Sequence, residues 1–294
     1  MEIIAPVIVA GLTTGALYAL ATLGLSLVWG ALGMLNMAHG AMLTLGGYSA
    51  YFAVTRLGWP VAAGVLMACA VGALAGAIIF FTVTRPLLAR QTGNFETTIM
   101  IATFGVAVAL ENAILLTFGG QPFAQPVHIN GNFGSGGFTV PMQNVLIVVI
   151  AVALMALVAA FLRSTRNGRA IRAVAQNKEA AELLGVPSGR IYLLALVLSG
   201  GLAGICGLLV SSITQLSPSL GADPMLKAFI MCVVAGLGSI PGGIAASFAL
   251  ALLEAFVQYY FGARWGFPVL MGIVIVVLIL RPAGLFGKTM VRRL

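Results

Sequence analysis

The chain has 294 residues, of which 61% are hydrophobic and 7% charged, and its formal net charge is +8. Soluble domains carry roughly 25% charged residues, so this composition excludes a water-soluble globule and calls for lipid around several long apolar stretches. The positive charge does not point to nucleic acid, because Lys and Arg gather in a few loops, as expected of the inner face of a membrane protein.

The apolar segments run over about 5–30, 41–55, 60–84, 97–118, 143–162, 191–212, 226–240, 244–261 and 266–281. Segments of this length suit helices, whereas barrel strands alternate over roughly 10 residues. The sequence therefore predicts an all-α polytopic bundle: one transmembrane domain over 1–294, with about 8–9 membrane segments. The N-terminus lacks a basic region and its apolar run is too long for a cleaved signal, so none is expected.

The first segment ends in Gly30-Ala-Leu-Gly-Met-Leu-Asn-Met-Ala-His-Gly40, a glycine-flanked break containing Asn36 and His39. Polar groups at membrane depth need partners or water. The pair either lines a polar path or locks the break by hydrogen bonding. A polar loop is expected at 85–96, with Arg85 and Arg90. In the next segment, Glu111 and Asn112 are either path residues or a helix-helix contact. Loop 119–142 is Gly-rich and has no Lys or Arg.

Residues 163–190 form a conspicuously basic stretch, with Arg163, Arg166, Arg169, Arg172, Lys178 and Arg190. Asn167 can cap a helix running to about Leu184, and Asn177 can cap a second turn and bend it. Gly185 followed by Val186 and Pro187 reads as a helix stop. Ile171, Val174, Ala181 and Leu184 make one apolar stripe, opposite Arg169, Arg172, Gln176 and Glu179. Such a helix lies on anionic lipid or fits a groove on a protein partner.

Further on, Ser211, Ser212, Thr214, Gln215 and Ser217 form a polar mouth or a plain loop, and Asp223 and Lys227 read as a surface pair. Glu254 is a second intramembrane carboxylate. Residues 226–261 are too long for one crossing of about 20 residues. They divide at Gly236-Leu-Gly-Ser-Ile-Pro-Gly-Gly243, with Gly236 and Gly238 in the break. Paired breaks in two halves of a transporter point towards its path, although sequence similarity between the halves is faint here.

The positive-inside rule places 85–96, 163–190 and the tail (Lys288, Arg292, Arg293) in the cytoplasm. Loop 119–142 and the N-terminus with Glu2 then lie outside. Small-xxx-small spacings at Gly11/Gly15, Gly72/Gly76, Gly200/Gly204 and Gly243/Ser247 favour close helix crossings. Cys69, Cys206 and Cys232 lie singly in apolar segments and read as packing residues. His39 and His128 are far apart, so no metal site is expected. No catalytic constellation is present. Gly287-Lys288-Thr289 lacks the earlier glycine of a phosphate-binding loop, since Pro282 stands there.

Glu179-Ala-Ala followed by Gly185 resembles the loop by which ABC importer permeases engage their ATPases, although Ala195 stands where that loop has Ile. The wider context resembles the LivH-type permeases of branched-chain amino acid ABC importers in four blocks. These are 15–40, from Gly-Ala-Leu-Tyr to Leu-Asn-Met-Ala-His-Gly; 167–186; 227–243; and 280–288. The resemblance implies a bacterial inner-membrane subunit paired with a second, related permease. It also implies two cytoplasmic ATPases and a periplasmic or extracellular solute-binding protein. No cofactor is expected in this chain, ATP being used by its partners.

On this resemblance Glu179, Ala180, Ala181, Leu184 and Gly185 couple to the ATPase. Asn36, His39, Glu111, Asn112, Gly236 and Gly238 are candidates for the path. Branched-chain amino acids are the first expectation for the substrate, with urea or short amides as the alternative. An ion-coupled transporter or channel is a more distant one.

Overall fold

The computed structural model describes residues 4–90, 95–127, 129, 131–133 and 139–287. His128 and the tail cations Lys288, Arg292 and Arg293 lie outside these residues, as does Glu2. The first half contains α1 (Ile4–Leu32), α2 (His39–Thr55) and α3 (Val61–Ile79). A π-helical turn, Phe80–Thr84, carries α3 into α4 (Arg85–Arg90), and α5 (Phe95–Phe118) follows. A small antiparallel hairpin, β1 (Asn132–Phe133) with β2 (Val140–Pro141), precedes α6 (Met142–Ser164). Then come the short α7 (Arg166–Gln176) and α8 (Lys178–Leu183). The remaining helices are α9 (Ser188–Ser211), α10 (Ala222–Ala235), α11 (Ile240–Phe261) and α12 (Gly266–Leu280).

Among the described residues, 7 helical stretches are long and apolar enough to cross a membrane. The molecule is thus an all-α multi-pass membrane protein. Two predicted segments are shorter helices. With 17 residues in α2 and 14 in α10, they extend about 26 and 21 Å, against an apolar core of about 30 Å.

Three boundaries differ from the sequence reading. Residues 85–90, expected as loop, continue the helix of α3 through the π turn. The second break is confined to 236–239, because Pro241 sits in the first turn of α11, where its missing N–H leaves no bond unmade. The basic helix is capped by Thr165, whose Oγ1 accepts from the Gly168 N–H at 2.9 Å, and not by Asn167. Asn177 caps α8, accepting from the Ala180 N–H at 3.0 Å.

Small residues set the packing. Added Cβ atoms at Gly200 and Gly204 of α9 would collide with the backbone of Gly72 and Ala68 on α3, and one at Gly207 with Leu43 on α2. Gly11 and Gly15 of α1 lie against Leu252 and Phe248 of α11 in the same way. Lipid tails are as apolar as side chains, so close backbone approach, and not water exclusion, holds such helices together. Gly204→Val is expected to destabilise the bundle by about 3 kcal/mol. Thermal unfolding in detergent checks this, and an unchanged midpoint would contradict the close crossing.

The helix directions form an inverted pair of three-helix units. Contacts of Thr22 with Ala228 and Ser26 with Cys232 make α1 and α10 parallel, and contacts at Gly46 and Gly47 make α2 and α9 parallel. Antiparallel to these run α11 on α1 and α3 on α9. Thus α1–α2–α3 run in directions opposite to α9–α10–α11. The crossing at the centre is reciprocal. The Gly40 N–H meets Met225 Sδ at 3.3 Å and the Gly221 N–H donates to Thr44 Oγ1 at 2.9 Å. Each glycine therefore contacts the residue four positions after its counterpart.

Candidate functional site

The start of α2 lies deep in the bundle. His39 and Asn36 are both 0% exposed. His39 Nε2 lies 3.2 Å from the Ala21 carbonyl of α1, and its Nδ1 lies 3.3 Å from Ser199 Oγ, half-way along α9. Asn36 is not helical. Its Oδ1 accepts from the Ala38 N–H at 3.1 Å and its Nδ2 approaches Met42 Sδ at 3.7 Å. These bonds, with the Met37 N–H donating to Thr103 Oγ1 at 3.1 Å, serve part of the irregular stretch at 33–38, which protein covers at membrane depth. The two side chains do not bond each other, and in this conformation both are enclosed.

Beside this crossing sits an ionic cluster that the sequence reading misplaced. Lys227 is no surface residue: it is 9% exposed, and Glu254 on α11 is 4% exposed. The Lys227 ammonium donates to Tyr18 Oη at 2.8 Å and to Glu254 Oε1 at 3.0 Å, and pairs with Asp223 at 3.2 Å. Gln258 donates to the same Glu254 oxygen at 3.0 Å. The i,i+4 spacing disclosed Asp223, but the helices contributing Tyr18 and Glu254 come from distant sequence. Tyr18 stands half-way along α1, so the cluster lies well inside the membrane-crossing layer, where charge persists only when paired.

The break at Gly236 and Gly238 lies at the end of the bundle that carries α7. Both glycines have positive φ, +98° and +84°. Gly238 packs on Trp29 and Gly30 of α1, and Gly236 on the 283–287 stretch after α12. The Leu285 and Phe286 N–H groups donate to the Val234 and Ala235 carbonyls, each at 2.8 Å. The tail therefore satisfies carbonyls that the end of α10 leaves without a helical partner.

At that same end, α7 folds back on α6. An added Cβ at Gly168 would strike the Phe161 carbonyl, so glycine permits the turn. Ile171, Val174 and Ala181 point inward. Leu184 does not join their stripe: Asn177 interrupts the helix and resets its phase, leaving Leu183 89% and Leu184 84% exposed. Glu179 and Ala180 are also exposed. Gly185 takes φ +82° with no atom of the described residues within 4 Å of its Cβ position, and the Val186 N–H closes the turn on the Ala181 carbonyl at 3.0 Å. Leu183 escaped the sequence reading, although two adjacent leucines at the end of a polar helix were the available signal.

The other predicted residues are peripheral. Asn112 is exposed on α5 and donates to its own helix, to the Val108 carbonyl at 2.8 Å; Glu111 beside it is half-buried. At the opposite end, Gln125 and Gln143 donate to Ser211 and Ser212 at 2.8 and 2.7 Å. Phe123 also bridges to Leu216. Ser211 thus ties loop 119–142, and Ser212 the first turn of α6, to the end of α9. Cys206 and Cys232 are buried, with Cys232 Sγ 3.3 Å from Ser26 Oγ.

Apolar crossing helices, two short helices meeting at half depth and an exposed amphipathic elbow together define a multi-pass membrane protein. Residues 7–279 match the family described as the branched-chain amino acid transport system permease component, and the chain belongs to that family. It is 31% identical over 296 residues to the high-affinity branched-chain amino acid transport system permease protein BraD of Pseudomonas aeruginosa, covering 97% of this chain and 96% of that protein. It is also 31% identical to LivH of Escherichia coli (strain K12), over 96% and 95% of the two chains. A more distant relative, the galactofuranose transporter permease protein YtfT of the same bacterium, is 30% identical over 79% of this chain and 64% of its own length.

Proposed function

We propose that this chain is a permease subunit of an ATP-driven ABC importer and forms, with a second related permease, a path for branched-chain amino acids across a bacterial inner membrane. Two cytoplasmic ATPases bind at the α7–α8 end, and a solute-binding protein delivers substrate at the other. ATP hydrolysis belongs to the ATPases, so the permease itself needs no cofactor. The basic residues of 163–190 orient this end, and the C-terminal tail, towards the cytoplasm.

One observation carries the reading: at the end of α8 two adjacent leucines, Leu183 and Leu184, are almost fully exposed, while Ala181 in the same helix is buried. Exposed apolar anchors of this kind fit a groove on a protein. Glu179, Ala180 and Gly185 flank them as the rim of the contact, and Ala181 holds α8 to the permease. The experiment is co-expression with the ATPase subunits of a branched-chain amino acid importer from the same organism. Their co-purification with the permease is expected, and its absence would refute the coupling role.

Closure of the ATPases would push α8, and α7 would pass the displacement to α1 and α6. Inverted repeats move against each other largely as rigid bodies. The reciprocal Gly40–Gly221 crossing is then the closed constriction of the path. Asn36 and His39 lie beside it, Gly236 and Gly238 stand at its cytoplasmic end, and Glu111 and Asn112 lie apart from it on α5. Asn36→Leu removes the bond that shapes the turn before α2. It is expected to lower uptake at least ~10-fold with assembly intact, given the loss of a buried hydrogen bond. Unchanged uptake would make Asn36 dispensable to the path.

A further inference from the structure

A cavity of about 620 Å³ opens between the end of α3 and the start of α9. Its walls include Phe80 and Phe81 of the π turn, Arg85 of α4, Lys178 of α8, and Arg190 and Tyr192 of α9. Three cations line this space and, among the described residues, no carboxylate does, the closest influence being Glu182 acting on Tyr192. Lys178 Nζ stands 5.7 Å from the centre of the Tyr192 ring. Ser188 and Gly189 also line the cavity. As the first residues of α9, they present N–H groups that no helical carbonyl can reach.

The apolar side of the cavity leads into the membrane layer. Phe81 is exposed, and Ile78 and Leu74 continue from it at three- and four-residue steps as an exposed stripe along α3. A cationic head space joined to an apolar, membrane-facing stripe fits one kind of molecule, with a negative head and hydrocarbon tails. Basic pockets between transmembrane helices hold anionic lipid headgroups in this way.

We propose that this cavity binds an anionic phospholipid, its phosphate held by Arg85, Lys178 and Arg190 and an acyl chain lying along Phe81, Ile78 and Leu74. The bound headgroup ties three elements together: the end of the long α3–α4 helix, the first residue of α8 and the first turn of α9. The lipid therefore acts as a staple that fixes α8 on the bundle. The site is independent of the transport reading, because it rests on the cavity and its charge and not on any partner.

Native mass spectrometry of the detergent-purified full chain tests the site, with phosphatidylglycerol and phosphatidylcholine in competition. Preferential retention of phosphatidylglycerol is expected. The combined variant Arg85→Gln, Lys178→Gln and Arg190→Gln should weaken that retention by about 100-fold, from three lost cation contacts. Arg56→Gln, at the opposite end of the bundle, should leave it unchanged. Equal retention of the two lipids by the unmodified chain overturns the proposal without recourse to a variant. Displacement of bound lipid by millimolar inorganic phosphate, with no preference between the lipids, would show a free-anion site and also overturn it. Loss of the lipid on adding the ATPases, with Arg85 and Arg190 cross-linking to them, would give this face to a protein and refute the lipid.

Discussion

Leu184→Asp is expected to abolish co-purification of the ATPase subunits while the permease still inserts and folds. Leu184 is 84% exposed, so the substitution removes little packing within this chain, and the unfolding midpoint should hold. A Leu side chain buried at an interface contributes about 1.5–3 kcal/mol. Placing a carboxylate in the same groove adds a desolvation cost of similar size. Together these weaken binding by roughly 1000-fold, enough to empty a pull-down. Gly185→Trp should act in the same direction. Among the described residues nothing lies within 4 Å of a Cβ placed at Gly185, but its φ of +82° strains any other residue, and the indole would stand where the partner must approach. Retention of the ATPases by both variants would remove α8 from the contact.

Lys227→Met is expected to destabilise the permease by about 3–5 kcal/mol, because Glu254 would remain buried and charged without its counter-ion. Gln258 alone would continue to donate to it. Adding Glu254→Gln to the same chain removes the orphaned charge and should restore most of the loss. The pair is thus distinguished from ordinary packing damage, which a second substitution would deepen. Thermal unfolding of the wild type, both single variants and the double variant reads the coupling directly. Additive losses would show that the 3.0 Å contact does not govern stability.

The crossing helices were legible because their apolar runs are long and the polar interruptions between them few. What each helix meets was less accessible. Gly72 and Gly200 announce close approach but not that they approach each other, and in a chain with 37 glycines spacing alone cannot choose. The faint similarity between halves concealed an inverted arrangement that the directions of α1–α2–α3 and α9–α10–α11 make plain. Small residues and chain reversal preserve that geometry without preserving sequence. Lys227 was misplaced because local spacing supplies a partner at Asp223, whereas its burial depends on Tyr18 and Glu254, 209 and 27 residues away. The stripe through Ile171, Val174 and Ala181 was readable. Its extension to Leu184 was not, since it assumed an unbroken helix and Asn177 resets the phase. That failure is informative, as it places Leu184 outside the permease's own core and available to a partner.

Vesicles containing both permeases, the ATPases and the solute-binding protein test the central claim most directly, by uptake of radiolabelled leucine. Uptake should require ATP, persist when proton and sodium gradients are collapsed, and vanish with Leu184→Asp. Leucine accumulation driven by an ion gradient without ATP, or undiminished in Leu184→Asp vesicles, would contradict it.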